Sequence, residues 1–235
     1  MNGSRTQAGT CLDSAKRPRR AAAVVSLAAS LAVSLAVSLA AALAAGCDRS
    51  AVISRPQEKK LDVAYDTLFL TELQGKVEDG DIVLRRGYAV LSDMITLVTP
   101  GMQMSHAAIY DATTKTVIEA VNSGVREHPI DAYVRGSHRL VVVRLAVSTA
   151  DKRAAVVSAR SVIGSGFDHL GFIGMDDPER FYCSELVAWA YRAKERGFRP
   201  DDVIAPGELV RLGAIVYDSG ERGARPMSAV APYWK

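Results

Sequence analysis

Residues 181–187 read Phe-Tyr-Cys-Ser-Glu-Leu-Val, and this stretch decides how the folded part of the chain is organised. Largely apolar side chains follow at positions 186, 187, 190 and 191, which is the spacing of one buried helix face. The pattern predicts a helix from near Cys183 to about Lys194, stopped by Gly197. Cys183 then lies in the first turn, where free backbone N–H groups and the helix dipole stabilise a thiolate and can receive an oxyanion.

The N-terminal part of the chain does not have the composition of a folded domain. Residues 16–20 read Lys-Arg-Pro-Arg-Arg, and residues 21–46 form an uncharged run rich in Ala, Leu, Val and Ser, which together are typical of a secretory signal. Residues 43–47, Leu-Ala-Ala-Gly-Cys, resemble a bacterial lipobox, in which the cysteine is diacylated and becomes the new N-terminus. We therefore expect residues 1–46 to be a lipoprotein signal peptide and Cys47 to carry the lipid. The alternative is an uncleaved N-terminal helix, and in either case the remainder is exported to the periplasmic face of a bacterial membrane.

The rest of the chain divides into a short tether and one domain. Residues 47–60 are mostly polar and charged and contain Pro56, so we interpret them as a tether. Residues 61–235 are long enough for a single domain with its own core. The net charge is only +3 and the basic cluster lies in the signal, so no nucleic-acid partner is expected.

The cysteine content makes Cys183 a candidate reactive thiol. The chain has three cysteines; Cys11 would leave with the signal and Cys47 would be capped by lipid. Cys183 is then alone in an exported protein, with no partner for a disulfide, which indicates a reactive thiol. The alternative is a buried structural cysteine, since free cysteines are often buried and inert.

Hydrophobic periodicity and turn residues predict an α+β fold, a small antiparallel sheet with helices packed on it. We expect helices over residues 61–75, 88–98 and 149–163, a helical turn at 207–211, strands over 81–85, 105–110, 116–120, 125–130, 140–145 and 214–217, and a loop over 167–180.

A reactive thiolate needs a base, and His106 is the best candidate. The chain has four histidines, at positions 106, 128, 138 and 169. His106 lies in a predicted strand, Ser105 to Tyr110, where small neighbours leave room beside the imidazole. His169, in the loop before Cys183, is the second candidate. The alternative for His106 is a structural histidine held by a hydrogen bond.

Glu119 is the candidate partner of His106. If residues 111 and 114 flank a two-residue turn, position 106 faces position 119 across the hairpin, and facing Cβ atoms lie roughly 4.5–5.5 Å apart. A carboxylate there would orient the imidazole and favour its protonated form. A longer or bulged turn would shift the register, and an exposed glutamate on an edge strand is the alternative.

Four motifs occur in a recognisable order along the chain: Gly80-Asp81-Ile82-Val83, Ser105-His106-Ala107-Ala108-Ile109-Tyr110, Ile118-Glu119-Ala120 and Tyr182-Cys183-Ser184-Glu185-Leu186-Val187. The ordered set, over residues 78–217, resembles the YiiX/YebB-like group, circularly permuted relatives of the NlpC-type papain-like cysteine hydrolases. Gly166-Phe167-Asp168 is similar to the group's Gly-x-Tyr-Asp segment, with Phe in place of Tyr.

The resemblance implies a small papain-like core with a Cys-His-Glu triad. Cys183 would be the nucleophile, with its backbone N–H as an oxyanion donor; His106 would be the base and acid, and Glu119 the orienting group. It also implies a thioester intermediate and no need for a metal or cofactor. Four further residues are weaker, substrate-binding candidates: Ser105, Phe167, Asp168 and Tyr182.

Three functions are compatible with these features. The first is an amidase or peptidase that cleaves a cell-envelope peptide or peptidoglycan-type substrate. The second is a thioesterase or acyltransferase, in which Ile95, Leu97, Met102 and Met104 would line an acyl pocket or, equally, pack in the core. The third is a non-catalytic binding lipoprotein, which an intact Cys, His and Glu set argues against.

Overall fold

The structure is a computed structural model that describes residues 53, 55–98, 101–171, 174–175, 177–197 and 203–234. The predicted signal peptide and Cys47 lie outside the described residues, as does most of residues 47–54 of the predicted tether. Among the described residues, no helix is both long enough and apolar enough to cross a membrane.

The described chain folds into a six-stranded antiparallel sheet flanked by helices, which confirms the predicted α+β class. The strands are β1 Ile82–Arg86, β2 His106–Asp111, β3 Thr116–Val121, β4 Gly124–Pro129, β5 Arg139–Arg144, β6 Gly166–Phe167, β7 Arg180–Phe181 and β8 Ala214–Asp218. The α-helices are α1 Lys59–Gln74, α2 Val90–Val98, α3 Ile130–Val134, α4 Thr149–Ser161, α5 Cys183–Ala190 and α6 Met227–Val230, with 3₁₀ helices at Pro206–Leu212 and Ala231–Tyr233. The sheet order is β4-β3-β2-β1-β5-β8, and β6 and β7 form a separate parallel pair.

Both faces of the sheet are covered, and this is why its central strands are apolar at nearly every position. Ile82 and Leu84 of β1 point to a core that includes the buried residues of α4 and α5. Val83, between them, points to a second core built by α1 and α3. Successive strand residues face opposite sides, so a strand buried on both sides has no need for alternating polarity.

Helix α5 is shorter than predicted. It begins at Cys183 as expected but ends at Ala190, and residues 191–197 continue as turns. Arg192 adopts a left-handed backbone conformation with φ of 52°, which a continuing helix does not allow. At the other end, the Glu185 carboxylate accepts the Tyr182 N–H at 3.1 Å and so satisfies one backbone donor before the first turn.

The β2–β3 hairpin has a different register from the one predicted. Asp111 pairs with Thr116, so four residues and not two form the turn, and Glu119 lies opposite Ala108 rather than His106. The Asp111 carboxylate accepts the Thr113 N–H at 2.9 Å, and Lys115 is left-handed with φ of 56°, which together stabilise the longer turn. The register shift is two residues, so Glu119 still lies on the same face of the sheet as His106, as predicted.

Candidate active site

The structure brings Cys183, His106 and Glu119 together in one row. His106 Nε2 lies 2.7 Å from Glu119 Oε2, and the Glu119 side chain is only 1% exposed. This contact leaves the other ring nitrogen, Nδ1, available to Cys183, and Cys183 is close enough that each group shifts the pKa of the other. Glu119 reaches His106 diagonally across the hairpin, a separation that long side chains still bridge.

The thiol and the imidazole belong to elements that pack on opposite faces of the sheet. His106 and Glu119 lie on the sheet face that carries α1 and α3, whereas α5 packs on the opposite face. The β2–β3 ladder ends at Ala108 and Glu119, while β3 continues beside β4 to Val121. Just past the end of that ladder, the backbone of Ala107 hydrogen-bonds the Cys183 sulfur. The first residue of α5 thus lies next to the end of the β2–β3 ladder.

The electrostatics of the row favour charged forms of the thiol and the imidazole. Burial opposes protonation of the imidazole, but the charge of Cys183 and hydrogen bonds to Cys183 and Glu119 outweigh burial and raise the pKa of His106 to about 9. Burial also disfavours the thiolate, yet the charge and hydrogen bond of His106 hold the pKa of Cys183 below its ordinary value. The two shifts together favour a thiolate–imidazolium pair.

Arg126 is a member of the site that sequence reasoning missed. Its Nε and Nη2 donate to Glu119 Oε1 at 2.9 and 2.8 Å, which leaves Oε2 to His106. Burial would raise the pKa of Glu119, but the hydrogen bonds from His106 and Arg126 lower it to about 2. Glu119 and Arg126 are directly opposite in the β3–β4 hairpin. The two-residue turn of that hairpin, Asn122-Ser123, is the feature of the sequence that could have predicted this pairing.

Two more residues flank the imidazole. Tyr133 of α3 is fully buried, with its ring centroid 5.9 Å from that of His106 and its hydroxyl donating to the Val83 carbonyl at 2.9 Å. The guanidinium carbon of Arg85 lies 4.8 Å from the centroid of the same tyrosine ring. Neither residue belongs to a sequence motif, because only the tertiary fold brings α3 and the end of β1 to His106.

Ser105 and Tyr182, predicted as weak substrate-binding residues, make hydrogen bonds within the protein. Ser105 is buried, and its hydroxyl accepts the Gly87 N–H at 3.1 Å and donates to the Arg85 carbonyl at 3.3 Å. Tyr182 is also buried, and its hydroxyl accepts the Ile204 N–H at 3.0 Å. Both residues therefore position the backbone next to the row rather than presenting a hydroxyl to solvent.

Asp168 and Phe167, the other two weak candidates, belong to the segment before α5. The Asp168 carboxylate is buried and accepts the N–H groups of Leu170, Gly171 and Asp177 at 2.9, 2.8 and 3.1 Å. Phe167 is half-buried on the α5 side of the sheet, and its ring lies 5.0 Å from that of His169. Asp168 thus organises the loop, and substrate contact by either residue stays a prediction.

The remaining histidines lie outside the row. His169, the second candidate for the base, is exposed beside Phe167. His128 pairs with Val117 in the sheet, and His138 is buried next to Tyr88. Within the described ranges, no three or more His, Cys, Asp or Glu side chains converge as a metal-binding group.

Comparisons with known proteins identify the family of the chain. Residues 76–203, more than half of the chain, match the family described as permuted papain-like amidase enzyme, YaeF/YiiX, C92 family. A similar solved structure is the metalloprotein yiiX from Escherichia coli O157:H7, with 23% identity, 64% of this chain and 94% of that chain covered, and a TM-score of 0.45. No curated protein matches the chain. The match over residues 76–203 includes the Cys183 helix and the His106–Glu119 hairpin, and the chain belongs to the YaeF/YiiX family of permuted papain-like cysteine amidases.

Proposed function

We propose that the protein is a membrane-anchored amidase that cleaves a peptide or peptidoglycan-type amide bond at the cell envelope. The observation that carries the proposal is the row in which His106 joins Cys183 on one ring nitrogen and Glu119 on the other. The lipobox-like stretch ending at Cys47 supports the anchor and the cellular location.

The geometry supports a two-step mechanism through a thioester. The Cys183 thiolate attacks the amide carbonyl carbon, and the resulting oxyanion is received by N–H groups at the start of α5, which have no partner within the helix. Protonated His106 gives its proton to the leaving nitrogen, and the C–N bond breaks to release the amine. His106 then takes a proton from water, which attacks the thioester, and the thiolate leaves with release of the carboxylic acid.

Glu119 acts through His106 in this scheme. Its carboxylate accepts the Nε2–H and so keeps Nδ1 directed at the sulfur in both steps. Arg126 acts one contact further away, because it fixes which carboxylate oxygen is available to the imidazole.

The apolar residues near His106 in the sequence do not form one acyl-binding surface. Met104 is fully buried in the core, whereas Leu97 is 65% exposed. Core packing explains the apolar side chain of Met104. We therefore propose amide cleavage rather than acyl transfer.

Digestion of purified peptidoglycan, followed by mass analysis of the products, tests the proposal. We expect the wild-type protein to release products that Cys183→Ala does not, with both proteins folded by circular dichroism. Turnover of an acyl-thioester probe by the same two proteins is measured in parallel. Identical products from the two proteins, or turnover of the thioester probe alone, would contradict the proposed amide cleavage.

The anchor is tested separately. Cells fed a clickable fatty acid should label the wild-type protein and not Cys47→Ala. Equal labelling of the two proteins would remove Cys47 as the lipid site and leave the amidase proposal untouched.

A further inference from the structure

Arg85 differs from every other arginine in the described part of the chain. Each of the others forms an ion pair with an Asp or Glu side chain. Arg85 forms none within the described ranges, although it is half-buried. Partial burial of a cation is unfavourable unless an anion or hydrogen-bond acceptors compensate it. Arg85 is therefore a candidate for binding an anion from outside the protein.

The guanidinium of Arg85 lies beside the catalytic row. Arg85 is the Cα partner of His106 across β1 and β2, and strand alternation puts it on the same sheet face as His106. Its Nη1 donates to the Tyr133 carbonyl at 3.2 Å, and its guanidinium carbon is 4.8 Å from the Tyr133 ring centroid. Its charge is close enough to Glu119 to contribute to the lowered pKa of that carboxyl.

Most N–H donors of Arg85 have no acceptor among the described residues. Glu119 already receives two hydrogen bonds from Arg126 and one from His106. The Tyr133 ring is held by burial and by its own hydroxyl bond to Val83. A guanidinium has five N–H donors in a planar fork that matches a carboxylate, and only one donor of Arg85 has an acceptor among the described residues.

We propose that Arg85 is an anion subsite of the active site, and that it binds a carboxylate which the amide substrate carries near the bond that Cys183 attacks. The inference rests on the proposed amidase function and narrows its substrate to acidic amides, such as peptides with a free carboxylate close to the scissile bond. Arg85 binds the substrate and takes no part in proton transfer.

A matched pair of alkylating probes tests the subsite without turnover. Bromoacetylglycine and bromoacetylglycinamide both alkylate a thiolate by forming an S–C bond and releasing bromide, and they differ only in the carboxylate. We expect wild-type Cys183 to react faster with the anionic probe. In Arg85→Met that preference should fall by roughly tenfold or more, the effect of losing a charged hydrogen bond, while reaction with the neutral probe changes less than about twofold.

Arg192→Met is the matched control, because Arg192 is exposed and forms a local pair with Glu195. It should keep the wild-type preference. Arg85→Lys keeps the charge without the fork and should give an intermediate preference. The same preference in wild type and Arg85→Met, or equal slowing with both probes, would overturn the subsite.

A measurement on the wild-type protein covers the case in which Arg85→Met fails to fold. Acetylglycine should protect Cys183 from the neutral probe at concentrations where acetylglycinamide does not. Equal protection by the two compounds would also overturn the subsite. Both results are independent of the peptidoglycan digestion, so a failed subsite and a failed amidase function can be told apart.

Discussion

At the scale of single residues, the site depends on one carboxylate whose two oxygens bind different side chains. Glu119 gives Oε2 to His106 and Oε1 to Arg126. The imidazole is therefore next to a full negative charge that is itself partly balanced by a cation. Changes at Glu119 and at Arg126 should move the ionisation of His106 in opposite directions.

Replacement of Glu119 by Gln should lower activity and narrow the pH range of activity on the alkaline side. The pKa of His106 is raised to about 9 partly by Glu119, so loss of that charge moves deprotonation of the imidazolium to lower pH. We expect kcat/KM to fall roughly 10- to 100-fold, the usual size of an acid–base contribution. The pH profile of kcat/KM is the measurement, with Glu195→Gln, an exposed carboxylate in a local pair with Arg192, as control. An unchanged alkaline limb would show that Glu119 does not act on His106.

Replacement of Arg126 by Met should shift the alkaline limb the other way. Without the cation, the charge of Glu119 acts undivided on the imidazolium, so the pKa of His106 rises. Arg126 is 47% exposed, and solvent screening keeps the effect small, with kcat/KM reduced by about threefold to tenfold. A shift to lower pH in the same profile would refute this role for Arg126.

At the scale of elements, the start of α5 is fixed by contacts around Ile204. The Ser184 hydroxyl donates to the Ile204 carbonyl at 2.6 Å, and the Tyr182 hydroxyl accepts the Ile204 N–H at 3.0 Å. These two bonds tie the first turn of the helix to the segment before the 3₁₀ helix at Pro206–Leu212. They position the thiol beside the end of the β2–β3 ladder.

Replacement of Tyr182 by Phe should therefore cost stability and leave substrate binding unchanged. A buried N–H that loses its acceptor destabilises the fold by about 1–3 kcal/mol. Chemical denaturation measures the loss, and KM on the same protein measures binding. A raised KM with unchanged stability would instead support the substrate-binding role that the sequence motif suggested for Tyr182.

The hairpin shows how far sequence reasoning reaches at this scale. Strand positions predicted that His106 and Glu119 share a face, and the structure confirms it. The register was wrong by two residues because the turn contains four residues rather than two, a choice set by local hydrogen bonds at Asp111. Arg126 required the register of a second hairpin, and Arg85 and Tyr133 required the whole fold.

At the scale of the molecule, a charged cluster joins the sheet to α4. Asp111, at the end of β2, is buried and accepts hydrogen bonds from Arg153 and Arg160 of α4 at 3.0 and 2.8 Å. Glu127 of β4 also binds Arg160, at 2.6 Å. The helix is held against the hairpin that carries His106 and Glu119, so the cluster supports the site from outside.

Stability should consequently fall in acid. Burial would raise the pKa of Asp111, but the hydrogen bonds from Arg153 and Arg160 lower it to about 2, and hydrogen bonds from Arg160 and Thr116 lower that of Glu127 to about 2. Depressed folded-state pKa values give stability that is present above the unfolded values of 3.8 and 4.5 and is lost as pH falls towards 2.

Thermal unfolding between pH 6 and pH 2 measures this loss. Asp111→Asn should lower Tm near neutral pH by roughly 5–10 °C, since it leaves two cations without their buried partner, and should flatten the acid dependence. Glu195→Gln, an exposed carboxylate in a local pair with Arg192, is the control and should change neither. An acid dependence of Asp111→Asn as steep as that of the wild type would contradict the account.

The most direct test of the nucleophile is the pH dependence of Cys183 alkylation by iodoacetamide, with the modified residue identified by mass spectrometry. Wild-type Cys183 should react at a pH below the ordinary pKa of a thiol, because His106 lowers the pKa of Cys183. In His106→Ala the imidazole no longer lowers the pKa of Cys183, and burial raises that pKa. The thiol should therefore react only at a pH above the ordinary pKa of a thiol. The same pH profile in both proteins would contradict the claim that Cys183 and His106 form the catalytic pair.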